Sequence, residues 1–186
     1  MNQRLYGFAG GDTGSWRVEG MRTLIGAPLA GVKRIAAISG ELPPPAGARW
    51  LLRGVTSNER YVTLDEKGLL AARQPALGRP AASCAALIPI RKNGAWWALP
   101  QDERLRIFEE QSAHTRTGLK YLPAVARRLH HCRDLGSEEP FDFLTWFEFA
   151  PADRVAFDEL AQALRATPEW RYVDREVDIR LGRDAA

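Results

Sequence analysis

The side chains best suited to metal or acid–base chemistry in this chain are three histidines. They are His114, His130 and His131 in a chain of 186 residues. His114 lies at the join between two stretches with helical patterns, whereas His130 and His131 are adjacent. Adjacent side chains on a helix point in different directions, so the pair does not predict a metal site. We expect these two residues, with Arg133, to lie at the C-terminal end of a helix, where cations stabilise the helix dipole.

Other sequence patterns of catalysis are missing. The chain has no nucleophile elbow, P-loop, glycine-rich dinucleotide loop or zinc-protease helix motif. Its two cysteines, Cys84 and Cys132, form neither a disulfide framework nor a zinc pattern. The paired carboxylates at 109–110 and 138–139 are typical of solvated charges. The residues alone therefore indicate a tryptophan-rich α+β protein in which His114 is unusually placed.

The composition is that of a folded protein in water. Apolar residues make up 45% and charged residues 26%, which excludes disordered and collagen-like chains. No apolar run approaches the roughly 18 residues of a spanning helix, and no secretory leader is visible. The formal net charge of +3 favours small anions slightly but is far from that of a nucleic-acid binder. We therefore expect a cytoplasmic protein without membrane or nucleic-acid partners.

The elements that must position these residues follow from periodicity and from two proline-rich breaks, at 41–47 and 74–80. Alternating or continuous apolar runs predict strands, and three-to-four spacing predicts helices. Short strands are expected before residue 40. Further strands are predicted at 50–56, 60–63, 83–92, 141–150 and 170–181, and helices at 64–72, 100–112 and 118–131 and around Phe157, Leu160 and Leu164.

The second half thus has the order β, α, α, β, α, β. This order predicts an α+β fold with an antiparallel sheet and helices on one face. In the last strand we expect Val173, Val177, Ile179 and Leu181 to share one face. Strands of the first half could form a smaller copy of the same layer.

Several segments in fixed order resemble the chlorite dismutase family. The resemblance is dense from about residue 50 to 181, and the short first half is similar to the family's small, dimeric branch. The segments that carry it are 51–61, 86–92, 95–97, 102–104, 119–123, 126–131, 141–148 and 169–172.

This resemblance implies a dimeric α+β barrel built from two ferredoxin-like halves. Residues 1–80 would form a shortened N-terminal half, and residues 81–186 a C-terminal half that binds one haem b per subunit. The implied activity is the conversion of chlorite to chloride and dioxygen, through a ferryl haem and transient hypochlorite. A homodimer with chlorite as its small anionic substrate is therefore expected.

The resemblance also implies individual roles. His114 corresponds to the proximal iron ligand, Arg127 to the catalytic distal arginine, and Glu169 to the carboxylate that accepts a hydrogen bond from the proximal imidazole. His130-His131 departs from the Tyr-His that is usual in the family. Residues expected to contact the haem or line its pocket are Tyr61, Ile88, Lys92, Trp96, Trp97, Leu122 and Leu144.

These roles make a geometric demand. In one straight helix, His114 and Arg127 would be about 20 Å apart and point about 140° away from each other. They could not then face one cofactor from two sides. We therefore expect the chain to break or change direction at Thr117-Gly118, where glycine permits it.

Two other readings remain open at this point. One is a coproheme decarboxylase-like haem enzyme of the same superfamily, in which glutamine usually stands at the position of Arg127. The other is a non-catalytic α+β module that binds haem, or none, in which His114 and Arg127 are ordinary helix residues.

Overall fold

Eight antiparallel strands form one closed barrel. The computed structural model describes residues 4–41, 43–58, 64–136 and 138–184. The strands in these ranges are β1 (Leu5–Gly11), β2 (Trp16–Ile25), β3 (Arg34–Ser39), β4 (Trp50–Thr56), β5 (Cys84–Lys92), β6 (Ala126–His131), β7 (Phe143–Phe149) and β8 (Val173–Arg183).

Most of the helical structure belongs to the second half. The α-helices of the described ranges are α1 (Leu64–Arg73), α2 (Gly94–Ala98), α3 (Gln101–Leu105), α4 (His114–Leu119) and α5 (Arg154–Arg165). A π-helical segment, Arg106–Gln111, continues α3, and 3₁₀ turns cover Pro151–Asp153 and Pro168–Tyr172. No helix in the described ranges has the length and apolar character needed to cross a membrane.

The strand order shows an internal correspondence between the two halves. The barrel runs β1-β3-β2-β8-β5-β7-β6-β4, and β4 pairs with β1 to close it. The first four strands are therefore ordered β4-β1-β3-β2 and the last four β8-β5-β7-β6. The predicted mixed α/β content and antiparallel pairing are confirmed, and the sheet closes on itself.

Side-chain alternation gives the barrel wall two apolar faces. Inside the barrel, Leu87, Leu144 and Val177 are fully buried in one cluster. On the outer face, Phe147 belongs to a second cluster that packs against Phe157 of α5. The outer face of β5, β6 and β7, covered by helices, is where the candidate site lies.

The predicted helix at 118–131 is wrong. Helix α4 ends at Leu119, a turn follows, and residues 126–131 form strand β6. The backbone of β6 pairs with β7 along its whole length and with the end of β4. This ladder satisfies backbone groups that a helix would have bonded internally, so tertiary pairing overrides the helical spacing. The strand predicted at 60–63 falls outside the described residues.

The expected helix-cap role of the adjacent histidines is wrong for the same reason. His130 points into the barrel, where it is 1% exposed and contacts the rings of Tyr6 and Phe8. Burial, with a contribution from Arg128, lowers the pKa of His130 to about 3. His131 lies on the other face, against Phe143.

Candidate functional site

A cavity lies between the outer face of β5, β6 and β7 and the helices that cover it. It is partly open to solvent, and the space free of atoms, that at its mouth included, is about 1000 Å³. Most of its wall is apolar, and a few charged groups converge on it, as is typical of cofactor and ligand sites. The lining residues on the strands are Ile88, Ile90, Lys92, Arg127, Leu129, Phe143, Thr145, Phe147 and Glu176; the remainder are Asn58, Trp96, Phe108, His114, Thr115, Gly118, Leu160, Ala161, Leu164, Arg165, Glu169 and Trp170.

His114 enters the cavity as the first residue of α4. Ala113 before it has φ 47° and ψ 39°, in the left-handed region, which ends the π-helical segment and starts a new helix direction. The imidazole stacks on the ring of Phe108, with 4.2 Å between ring centroids. The turn and the stacking partner together fix the direction of the imidazole.

Glu169 holds one nitrogen of this imidazole. The His114 Nδ1 atom lies 2.8 Å from Glu169 Oε2. Because an ionised carboxylate can only accept, we assign the Nδ1 proton to His114, and in the neutral ring the lone pair is then on Nε2. Among the residues that the structure describes, none hydrogen-bonds to Nε2. This is how metal-binding histidines are oriented in proteins, with the second nitrogen tied to an acceptor.

The carboxylate of Glu169 is buried and held from several sides. The residue lies in the 3₁₀ turn after α5, and its backbone N–H donates to Ser112 Oγ at 3.1 Å. Lys92 Nζ donates to Oε1 at 2.8 Å. Burial alone would raise the pKa of Glu169, but His114 and Lys92 lower it to about 2. The group is therefore a carboxylate over the whole neutral range.

Lys92 is the last residue of β5 and is 5% exposed. Its backbone N–H donates to Asp142 Oδ2 at 2.7 Å. Its ammonium lies 4.8 Å from the ring centroid of Trp96 and 5.4 Å from that of Trp170. Two aromatic faces and one carboxylate thus stabilise a buried cation that would otherwise be costly.

Trp96 contributes an indole that is 1% exposed. Helix α2 positions it, because Asn93 Oδ1 accepts the Trp96 backbone N–H at 3.1 Å and caps the helix. Its Nε1–H is buried and has no acceptor among the described residues. A buried donor beside a cavity is a natural partner for a polar group of a bound molecule.

Arg127 is carried by β6. Its backbone pairs with Phe147 of β7, and its carbonyl accepts a hydrogen bond from Gln74 Nε2 at 2.7 Å. A Cβ atom added at Gly118 would lie 4.0 Å from the Arg127 guanidinium carbon. His114 and Gly118 share one face of α4, being four residues apart. The cavity therefore receives both an imidazole and a permanently charged guanidinium.

The structure brings together six of the residues selected from the sequence, His114, Arg127, Glu169, Ile88, Lys92 and Trp96. The expected redirection between His114 and Arg127 is also present. It follows Leu119, however, and Thr117 and Gly118 are still helical.

Three other selected residues do not line this cavity, contrary to expectation for Leu144, whereas the roles of Leu122 and Trp97 stay predictions. Leu144 is fully buried inside the barrel, because its neighbours Phe143 and Thr145 take the cavity face of β7. Leu122 is half-buried in the turn between α4 and β6. Trp97 packs on Phe143, outside the cavity wall, and donates to Asp142 Oδ2 at 3.3 Å. Tyr61 falls outside the described residues.

Several wall residues were not selected from the sequence. The strict alternation of Phe143, Thr145 and Phe147 was a usable signal, since it places three side chains on one face of a strand. No local sequence pattern indicated Glu176 and Arg165. In the sequence each looks like an ordinary surface charge, and only the folded structure brings α5 and β8 together.

The donor set fits a haem. Among the described residues, no group of three or more His, Cys, Asp or Glu side chains is arranged to hold a metal ion. A protein imidazole whose second ring nitrogen is tied to an acceptor is a common ligand of haem iron. His114 with Glu169 is such a group. The apolar walls suit a macrocycle, and the unpaired indole N–H of Trp96 suits its polar edge.

Comparisons with known proteins agree on one family. A family model described as chlorite dismutase matches residues 47–185. The chlorite dismutase of Ideonella dechloratans is 34% identical over 126 residues, which are 65% of this chain and 40% of that protein. This chain therefore spans less than half the length of that curated relative.

Solved structures extend the agreement to the fold. The crystal structure of dimeric chlorite dismutases from Nitrobacter winogradskyi is 51% identical with a TM-score of 0.88, and the match covers 96% of this chain and 99% of that one. A chlorite dismutase from Candidatus Nitrospira defluvii in complex with imidazole is 21% identical with a TM-score of 0.67, over 98% and 92% of the two chains. This second likeness concerns the fold alone. The chain belongs to the chlorite dismutase family.

Proposed function

We propose that this protein binds one haem b per subunit and converts chlorite to chloride and dioxygen. One observation carries the proposal: a single cavity receives the His114–Glu169–Lys92 triad and the guanidinium of Arg127. Haem iron, when bound, supplies the redox chemistry that breaks a chlorine–oxygen bond. Because chlorite contains every atom of both products, the reaction needs no external electron donor.

His114 would hold the iron through Nε2. Glu169 keeps the Nδ1 proton on the imidazole and, as a carboxylate, makes the ring a stronger donor to the metal. Lys92 neutralises the buried carboxylate and holds its second oxygen. The triad thus sets both the direction and the basicity of the iron ligand.

Arg127 would bind the anionic substrate in the same cavity. A guanidinium stays charged at any physiological pH and can bond two oxygens at once. The neighbouring wall residues Leu129 and Phe147 are apolar, and an apolar surrounding strengthens the attraction between the cation and an oxyanion. Arg127 would also retain hypochlorite until its oxygen has been used.

The assembly and the two halves are part of the same proposal. The dimeric relative at 51% identity supports a homodimer, with a mass twice the 20.7 kDa of one chain. The matching strand orders support two ferredoxin-like halves, 1–80 and 81–186; in the first, the described residues between β1 and β2 and between β3 and β4 form no helix. A cytoplasmic location and the lack of nucleic-acid partners stay predictions from the sequence.

The test uses haem-loaded protein and an oxygen electrode. Addition of chlorite should release dioxygen at once, and gel filtration with light scattering should give the dimer mass. Arg127→Ala should lower the rate by at least tenfold and make the haem bleach after fewer turnovers. The matched control is Arg116→Ala, an exposed arginine on α4, which should behave as the parent protein.

His114→Ala tests the cofactor itself. We expect the variant to lose the shifted Soret band that the parent protein shows after haem addition. If the parent protein loads haem yet leaves chlorite untouched, the proposed activity is wrong. If His114→Ala keeps an unchanged Soret spectrum, the proposed iron ligand is wrong.

A further inference from the structure

A second buried polar cluster lies in the wall of the same cavity, centred on Glu176. This residue is on β8 and is 1% exposed. Its Oε1 accepts a hydrogen bond from Arg165 Nε at 2.7 Å, and its Oε2 accepts one from Trp170 Nε1 at 2.9 Å. Both carboxylate oxygens therefore have partners, and all three residues line the cavity.

Arg165 forms an ion pair with this carboxylate. It is the last residue of α5, and its Nη2 also donates to Asp178 Oδ2 at 2.9 Å. Glu176 and Asp178 are two residues apart on β8 and point to the same outer face. One guanidinium and one indole N–H thus replace the water that burial removes from the Glu176 carboxylate.

Trp170 connects this cluster to the triad. It directly follows Glu169 in the 3₁₀ turn, and its ring centroid lies 5.4 Å from Lys92 Nζ. The hydrogen bond from its indole to Glu176 fixes the ring plane. Glu176 therefore holds one of the two aromatic faces that surround the Lys92 ammonium.

We propose that Glu176 is an electrostatic residue of the cavity wall, whose buried negative charge biases a bound haem toward its ferric state. This inference rests on the haem proposed above. A negative charge stabilises the more positive oxidation state of a nearby iron, and a buried charge such as that of Glu176 is screened less than an exposed one. Charge and burial around the macrocycle are general means by which proteins set haem potentials.

The test is the reduction potential of the haem-loaded Glu176→Gln variant, measured by spectroelectrochemical titration. Glutamine keeps the size of the side chain and removes its charge. We expect the ferrous form to gain on the order of tenfold at equilibrium, the effect of one unit charge at intermediate dielectric, which is about +59 mV for a one-electron couple.

Two further variants distinguish an electrostatic effect on the potential from a structural one. Glu159→Gln removes a carboxylate of equal size from the exposed face of α5, and should shift the equilibrium by less than about twofold because solvent screens it. Arg165→Gln removes the positive partner and should shift the equilibrium in the opposite direction from Glu176→Gln. A purely structural role of Glu176 would not give potential shifts of opposite sign in these two variants.

The outcomes are distinct. Equal potentials in Glu176→Gln and Glu159→Gln, or shifts of the same sign in Glu176→Gln and Arg165→Gln, overturn the inference. If Glu176→Gln fails to load haem, the direction of the potential shift in Arg165→Gln alone decides whether the inference holds. If the parent protein loads haem but does not decompose chlorite, the proposed activity fails while the potentials still test Glu176.

Discussion

Replacement of Lys92 by methionine tests the buried triad most directly. The Lys92 side chain is 3% exposed and its ammonium lies 2.8 Å from Glu169 Oε1, on a side chain that is 6% exposed. Methionine fills a similar volume but carries no charge. The change therefore leaves a buried carboxylate with His114 as its remaining side-chain partner.

The expected loss is large because the pair is buried. Removal of one partner of a buried ion pair costs about 3–5 kcal/mol of the free energy of unfolding, since the other charge stays buried and uncompensated. The chain offers a matched control in Lys33, which pairs with Asp12 at 3.4 Å with both side chains mostly exposed. An exposed pair of this kind contributes about 0–1 kcal/mol.

Urea-induced unfolding of the two variants, followed by circular dichroism, measures the difference. Lys92→Met should lose about 3 kcal/mol more than Lys33→Met. The double variant Lys92→Met/Glu169→Gln should recover part of that loss, because it removes the uncompensated charge. If Lys92→Met costs no more than Lys33→Met, the argument that Lys92 neutralises a buried carboxylate is refuted.

Three other predictions concern the scaffold. Phe157→Ala should lower the free energy of unfolding by about 3–5 kcal/mol in urea titrations, because Phe157 is fully buried between α5 and the barrel. Gly14→Ala should destabilise the protein by about 1–3 kcal/mol in the same assay, because φ is +133° and a Cβ would clash with the Ile35 backbone. The pKa of His130 is about 3 in the folded protein, against an ordinary value of 6.5. Between these two pH values the unfolded chain binds a proton that the folded protein does not. The free energy of unfolding should therefore fall by about 1.4 kcal/mol for each pH unit below about pH 6.5. His130→Leu should flatten this acid dependence; an unchanged slope in urea midpoints between pH 7 and 5 would contradict it.

The sequence predicted those helices and strands whose local apolar pattern agrees with their packing in the folded protein. Strand β4 has the predicted bounds, α1 and β5 differ from their predictions by one residue at one end, and β7 begins two residues later and ends one residue earlier than predicted. In β8, Val177, Ile179 and Leu181 share the barrel interior as predicted, but Val173 packs in the outer cluster. A register shift between β5 and β8, which a strict alternation cannot anticipate, separates it from the others.

The sequence by itself determined the strand-rich α+β composition and, through the family resemblance, which residues to examine as a haem site. Only the tertiary structure decided that residues 126–131 are a strand, because their backbone pairs with β7 and β4, which are distant in the chain. The same folding turned Leu144 away from the cavity and brought Arg165 and Glu176 into its wall. Local periodicity reports which face of an element is apolar, whereas the partner of that face depends on contacts between residues far apart in sequence.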